Sequence, residues 1–340
     1  MTETGEPPTK KIKLDKKIKL GKKMKFDKKR KLNPFEKESL LYLLPMFMLF
    51  EILGFLEPID RRRLSHTNSC YRKCVLDSNL HIYGEFKPEF LNKYISNDAF
   101  RANRGRIESV TLYDLPGVTD VSALSTVHNL SLEYMDGVED VSALSTVHNL
   151  SLGLSRGVTD VSALSTVHTL SLGNIVGVTD ISALSRVHTL YLYHLCNVTD
   201  VSALSSVHTL TLQDMPEVTD VSALSTVYDL TLNDMDGVTD VSVLSSVHTL
   251  TIRDMPGVTD VSALSTVHTL TLRNMHKVTD VSALSSVHTL TLRNMWGVTD
   301  VSALSSVHTL TLEDMIWVRD VSALSTAQDL IISNKYTKKL

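Results

Sequence analysis

From Val118 to Leu330 the chain repeats one pattern of apolar and polar positions every twenty residues, with no gap or insertion. In the first unit the apolar positions are Val118, Val121, Leu124, Val127, Leu130, Leu132 and Met135. Their steps are three residues everywhere except one step of two, between Leu130 and Leu132. A step of two is the signature of a strand, so the leucines are expected to face inward while Asn129, Ser131 and Glu133 face outward. Steps of three suit extended or 3₁₀-like turns, and ~20 residues per coil leave little room for a full α-helix on the return path. A fixed period without insertions predicts stacked coils, each burying its apolar side only against its neighbours. With a divergent first strand at Ile107–Tyr113 and a last one at Leu330–Ser333, 12 coils are expected, forming a curved parallel sheet with an irregular convex side.

These columns resemble the leucine-rich-repeat family, whose LxxLxLxxN or LxxLxLxxC pattern appears as Val127, Leu130, Leu132 and Met135 and again as Val267, Leu270, Leu272 and Met275. The resemblance implies an α/β solenoid of horseshoe shape over residues 107–334, with a parallel sheet whose concave face binds other proteins. The ninth position departs from the family, carrying Met or another apolar residue in place of Asn or Cys, except at Ser155. The segment Val278, Thr279, Asp280 is similar to the "ITD" of the cysteine-containing subclass, and VTDVSAL is similar to the internalin-type ITDISPL.

Two polar columns invite a chemical reading. Histidine precedes the strand in nine coils, from His128 to His308, and stacked coils would bring these rings within roughly 5 Å of one another. No carboxylate or thiol column accompanies them, so no metal site is expected, and the row is read as a surface ladder whose protonation would loosen the stack in acid. The aspartates from Asp120 to Asp320 sit in Thr-Asp-Val-Ser corners, where an Asp carboxylate accepts the N–H two residues on. No glycine-rich phosphate loop, nucleophile elbow, paired catalytic carboxylates or Cys/His zinc spacing occurs. Neither an enzyme nor a cofactor, metal or small-molecule substrate is expected.

Because the units are near-copies, the columns that vary stand out. They lie just after the strand and hold Tyr113, Glu133, Tyr134, Tyr193, His194, Arg253, Arg273, Asn274, Arg293, Asn294 and Glu313, with Trp296 and Trp317 in the adjoining loop. Drift where packing does not restrain the copies would give the same pattern. The other reading is a client surface on the concave face, centred on Tyr113, Glu133, Tyr134, Tyr193, Arg253, Arg273, Asn274, Arg293 and Trp296. A row of three arginines suits an acidic or phosphorylated protein segment.

Charge is divided along the chain. Residues 10–33 hold 12 Lys and one Arg in four hexamers, KKIKLD, KKIKLG, KKMKFD and KKRKLN. Without those 13 residues and the four acids of residues 1–33, the rest has 21 basic and 34 acidic side chains, a net of −13. Nucleic acid is therefore a partner only nonspecifically, through the tail. Three cysteines give no paired framework, which fits a reducing compartment. The apolar run from Leu40 to Leu56 leaves a membrane-associated alternative open, against which stand Glu51, Pro45 and Gly54 within it.

That run also reads as short amphipathic helices, with Leu49, Ile52, Leu53 and Leu56 on one stripe and Glu57-Pro58 ending it. Residues 44–71, LPMFMLFEILGFLEPIDRRRLSHTNSCY, resemble an F-box. Leu44 and Pro45 match its opening, Ile52, Leu53, Phe55 and Leu56 its apolar middle, and Asp60, Leu64 and Tyr71 its later positions; Phe47 replaces the usual Glu. The resemblance implies a small all-α domain that docks a Skp-type adaptor of a cullin-RING ubiquitin ligase through Leu44, Pro45, Ile52, Leu53, Leu56 and Leu64, with the repeats choosing the client. The expected order is a disordered polybasic tail over 1–33, the F-box-like domain over 34–76, a linker and helical or irregular cap over 77–106, the solenoid over 107–334 and a short tail over 335–340. Within the tail Lys10, Lys11, Lys13, Leu14 and Asp15 are similar to a monopartite nuclear-import signal, which places the protein in nucleus and cytoplasm. Residues 1–33 fused to a fluorescent reporter are expected to concentrate it in the nucleus, and a diffuse reporter would rule the signal out.

Overall fold

The computed structural model describes residues 79–83 and 109–333, apart from 116 and 327, all within the unit Cys70–Leu340. They form one parallel sheet of thirteen strands in chain order. The strands are β1 (Asn79–Tyr83), β2 (Ser109–Tyr113), β3 (Asn129–Glu133), β4 (Asn149–Gly153), β5 (Thr169–Gly173), β6 (Thr189–Tyr193) and β7 (Thr209–Gln213). The remainder are β8 (Asp229–Asn233), β9 (Thr249–Arg253), β10 (Thr269–Arg273), β11 (Thr289–Arg293), β12 (Thr309–Glu313) and β13 (Asp329–Ser333). From β2 onward each strand pairs with the next in a register of twenty, so that Leu270 lies between Leu250 and Leu290.

The single two-residue step becomes the strand, with the leucines buried and their polar neighbours on the open face. The three-residue steps become a 3₁₀ helix on the opposite side of the coil, as in Ser142–Thr146, where Leu144 N–H donates to the Val141 carbonyl at 2.9 Å. Three residues per turn is the 3₁₀ repeat, which returns an apolar side chain to the interior at each step. The inward columns form one continuous core whose members are 0–4% exposed. The ninth position is packed as part of this core, with Met135, Met215, Met235, Met255 and Met275 all at 0%. Ser155, the one polar member among the described residues, bridges coils by accepting from Met135 N–H at 3.3 Å and donating to the Gly153 carbonyl at 3.0 Å.

Two corners make the coil close. At the first, Asp120 Oδ1 accepts the Ser122 N–H at 2.8 Å, and the same bond recurs at Asp140, Asp160, Asp180 and onward to Asp320. This is the turn chemistry expected of the Asp column, and it satisfies the N–H that opens each 3₁₀ helix. At the second, the residue after the strand adopts a left-handed conformation in eleven successive coils, φ 49–57° from Asp114 to Asp314. Its N–H donates across to the next coil, as Tyr134 does to the Gly153 carbonyl at 3.0 Å. Asn and Asp tolerate this region best among residues with a Cβ, and eight of the eleven are Asn or Asp.

Two sequence expectations change. The expected α/β class lacks its α part among the described residues: fifteen residues per coil must leave the strand, turn two corners and come back, and 3₁₀ turns cover that path. Residues 77–106, expected as a helical or irregular cap, contribute β1, which pairs with β2 from Asn79 opposite Ser109 to Tyr83 opposite Tyr113. The sheet thus begins one strand earlier, after a spacing of thirty rather than twenty. The F-box-like segment and the basic tail lie outside the described residues.

Leu232 sits mid-solenoid and is 0% exposed. Leu232→Ala is expected to cost about 2–5 kcal/mol, the usual range for emptying a packed leucine site; equilibrium urea unfolding measures it, and an unchanged midpoint would contradict the packing described.

Candidate functional site: the open face of the sheet

In-register stacking turns each outward position into a row across the strands. The row at the strand end runs Tyr113, Glu133, Gly153, Gly173, Tyr193, Gln213, Asn233, Arg253, Arg273, Arg293 and Glu313. The candidate client residues fall into two groups, separated by β7 and β8.

The first group is aromatic. Tyr113 and Tyr134 meet edge to face with ring centroids 5.0 Å apart. Desolvation, followed by the hydrogen bond with Tyr134 and the nearby Asp114 and Glu133 carboxylates, raises the Tyr113 phenol above its ordinary pKa. Four strands along, the Tyr193 ring lies across Gly173, so close that a Cβ there would stand 1.8 Å from the ring. Its hydroxyl and the Glu133 side chain approach the same point above Gly153, at 3.9 and 3.5 Å from where a Cβ would be. The two glycines are thus the floor on which the tyrosine rests. Beside them Ser131, Ser151 and Ser171 bottom a shallow depression of about 220 Å³ that ends against Tyr191.

The second group is cationic. Arg253, Arg273 and Arg293 lie opposite one another on β9, β10 and β11. Arg293 pairs with Glu313 at 3.2 Å. Next to them a chain of side-chain hydrogen bonds runs from the indole N–H of Trp296 to Asn294, from Asn294 to Asn274 at 2.7 Å, and from Asn274 to Asp254 at 2.6 Å. Trp296 is 52% exposed, with the His276 ring tilted over it at 4.5 Å. Further along the same left-handed column, Asp214 and Asp254, with Asp236 in the adjoining loop, crowd Asp234; desolvation and then these charges raise its pKa. His194 Nδ1 meets Asp214 Oδ2 at 2.5 Å.

Several participants were not singled out from the sequence. Gly153 and Gly173 interrupt a row of longer side chains, Tyr191 is the lone aromatic in the serine and threonine row, and His276 varies in the same loop as Trp296. Tyr191 was visible as a break in its column, and the others as members of columns that vary from coil to coil. The adaptor-docking residues from Leu44 to Leu64 and the import residues from Lys10 to Asp15 lie outside the described residues.

At the other end of the strands the imidazoles form a face-to-face stack. Neighbouring rings from His128 to His208 are 4.6–4.7 Å apart, Tyr228 continues the stack at 4.9 and 4.5 Å, and it runs on to His308. From His168 on, Nδ1 of most rings lies 3.2–3.3 Å from the Oγ1 of the following threonine. Among the described residues no three His, Cys, Asp or Glu side chains gather as metal ligands, and no helix is long and apolar enough to cross a membrane.

No protein-family model matches the sequence, and no curated protein does. Among solved structures the chain is similar to an internalin, InlF, of Listeria monocytogenes, at 20% identity over 69% of this chain and 82% of that one, with a TM-score of 0.46. It is also similar to the functional domain of InlJ from the same organism, which includes a cysteine ladder, at 15% identity over 70% of this chain, with a TM-score of 0.35. In that second comparison the chain spans 65% of the other's length.

Stability is expected to follow pH through His148 and the corner aspartates. Desolvation first, then the charges of His128 and His168, lower the pKa of His148 from 6.5. The unfolded chain then binds the proton more readily than the folded one, so stability falls as pH drops through the unfolded value. The corner aspartates have lowered pKa values because the serine N–H and hydroxyl donate to them. Their contribution is complete above the unfolded value of 3.8 and disappears as pH falls through the folded values. Melting followed by circular dichroism should show a lower midpoint at pH 5 than at pH 7.5 and a second loss below about pH 4; equal midpoints at pH 5 and 7.5 would exclude a role for the imidazole stack.

Proposed function

We propose that this protein is a recognition scaffold that holds a protein client on the open sheet face and, through its N-terminal segment, hands it to a Skp-type adaptor of a cullin-RING ubiquitin ligase. The observation that carries the client part is the division of labour among columns. Inward positions keep the same residue types coil after coil, while the strand-end row changes from tyrosine and glycine to amide and then to arginine. A rigid sheet with a varied outer row is a surface on which side chains are pre-positioned, so little ordering is needed on binding. Exposed aromatics and arginines are the residues that dominate protein interfaces.

The ligase part rests on the F-box-like residues Leu44, Pro45, Ile52, Leu53, Leu56 and Leu64, and nuclear import on Lys10, Lys11, Lys13, Leu14 and Asp15. A second reading keeps the scaffold and drops the ligase. It is favoured by β1, because chain next to the F-box-like segment continues the sheet and has a structural use independent of any adaptor.

A pull-down of the full chain against a Skp-type adaptor separates the two. Capture by the wild type and its loss in Leu53→Asp is expected; no capture by the wild type would leave the scaffold alone.

A further inference from the structure

The geometry points to the arginine row as an anion-recognition site for a phosphorylated peptide segment, a refinement that rests on the client reading above. Three like charges directly opposite one another on neighbouring strands, ~4.8 Å apart, repel and are unfavourable in a sheet without counter-charge. The row supplies only part of it: Glu313 pairs with Arg293, and Arg273 Nε is buried without a hydrogen-bond partner. Asp254, in the neighbouring column, accepts at Oδ1 from the Asn274 amide. That column is acidic at Asp214, Asp234 and Asp254, changes to amide at Asn274 and Asn294, the coils of Arg273 and Arg293, and is acidic again at Asp314. In that column, therefore, amides stand in place of carboxylates beside Arg273 and Arg293.

Adjacent guanidiniums at this spacing can converge on one tetrahedral anion. A phosphate monoester carries about −1.5 to −2 charge and three acceptor oxygens, enough to serve two forks at once, whereas a carboxylate saturates one. Lys277 is an exposed cation in the loop that follows β10. Trp296, held by its indole N–H on Asn294 and backed by His276, offers a fixed apolar plate beside the charge. Charge next to an oriented aromatic suits a peptide, whose phosphorylated side chain enters the row while a flanking residue covers the indole. The acidic column at Asp214, Asp234 and Asp254 closes the near end of the row and disfavours a long polyanion such as nucleic acid running along the sheet.

The test uses the full chain and fluorescence anisotropy with a degenerate eleven-residue peptide library carrying one central phosphoserine. Parallel arms carry serine or glutamate at that position, and a single-stranded RNA oligonucleotide of equal length. Saturable binding of the phosphoserine library is expected, tighter than that of the glutamate library and absent for serine. Arg273→Ala should weaken it about tenfold or more, and Arg273→Lys, which keeps charge but loses the fork, should recover only part. Thermal midpoints equal to the wild type would show that both variants are folded. Absence of binding, equal binding of the serine or glutamate library, tighter binding of RNA, or indifference to Arg273→Ala would each overturn the assignment. Client capture that persists in Arg273→Ala while phosphopeptide fails to bind would overturn this site and leave the scaffold reading standing.

Discussion

Every coil buries its apolar columns only against the coil before it and the coil after it, and the rest of the structure follows from that constraint. Two neighbours must present the same shape, so the spacing of Val, Leu and Met positions cannot drift within the repeats. Equal shape forces equal register, and equal register turns each residue type into a row. The core, the hydrogen-bonded corners, the stacked imidazoles and the arginines are all products of one stacking rule. Some rows are favourable, as where each Asp-Ser corner satisfies its own N–H. Others gather like charges, and those are where the fold leaves unbalanced electrostatics at its surface.

The left-handed position after each strand connects packing to recognition. It turns the chain out of the sheet without glycine, which keeps a side chain at every coil in the row beside the strand ends. The residues that tolerate this backbone best, Asn and Asp, are polar and hydrogen-bond readily, so the same requirement that closes the coil lays a strip of amides and carboxylates along the candidate surface. Where the strip is acidic it crowds Asp234; where it is amide it links Trp296 to Asp254 through Asn294 and Asn274.

Much of the fold could be read from the spacing of apolar residues, because a step of two and steps of three map directly onto strand and 3₁₀ turn. The corner role of the Asp column was equally legible, since its partner lies two residues away. What could not be read depends on partners far along the chain or on rotamers. β1 was missed because Leu80 and Ile82 align with Val110 and Leu112 across thirty residues, outside the twenty-residue period that revealed every other strand. The strand-end row was foreseen as variable and outward, yet nothing in the sequence told that Tyr193 would lie down on Gly173, or that Tyr228 would take an imidazole's place in the stack. Those arrangements follow from side-chain direction, which the column pattern leaves open.

The unbroken register has a geometric corollary. Removing or adding one whole coil anywhere between β6 and β9 would leave every buried column facing its own kind, while shifting the tyrosine-and-glycine end relative to the arginine end by one inter-strand step of ~4.8 Å. The reach of the surface is therefore quantised: it can be lengthened or shortened in fixed increments without repacking the interior, much as a ruler is cut at its marks.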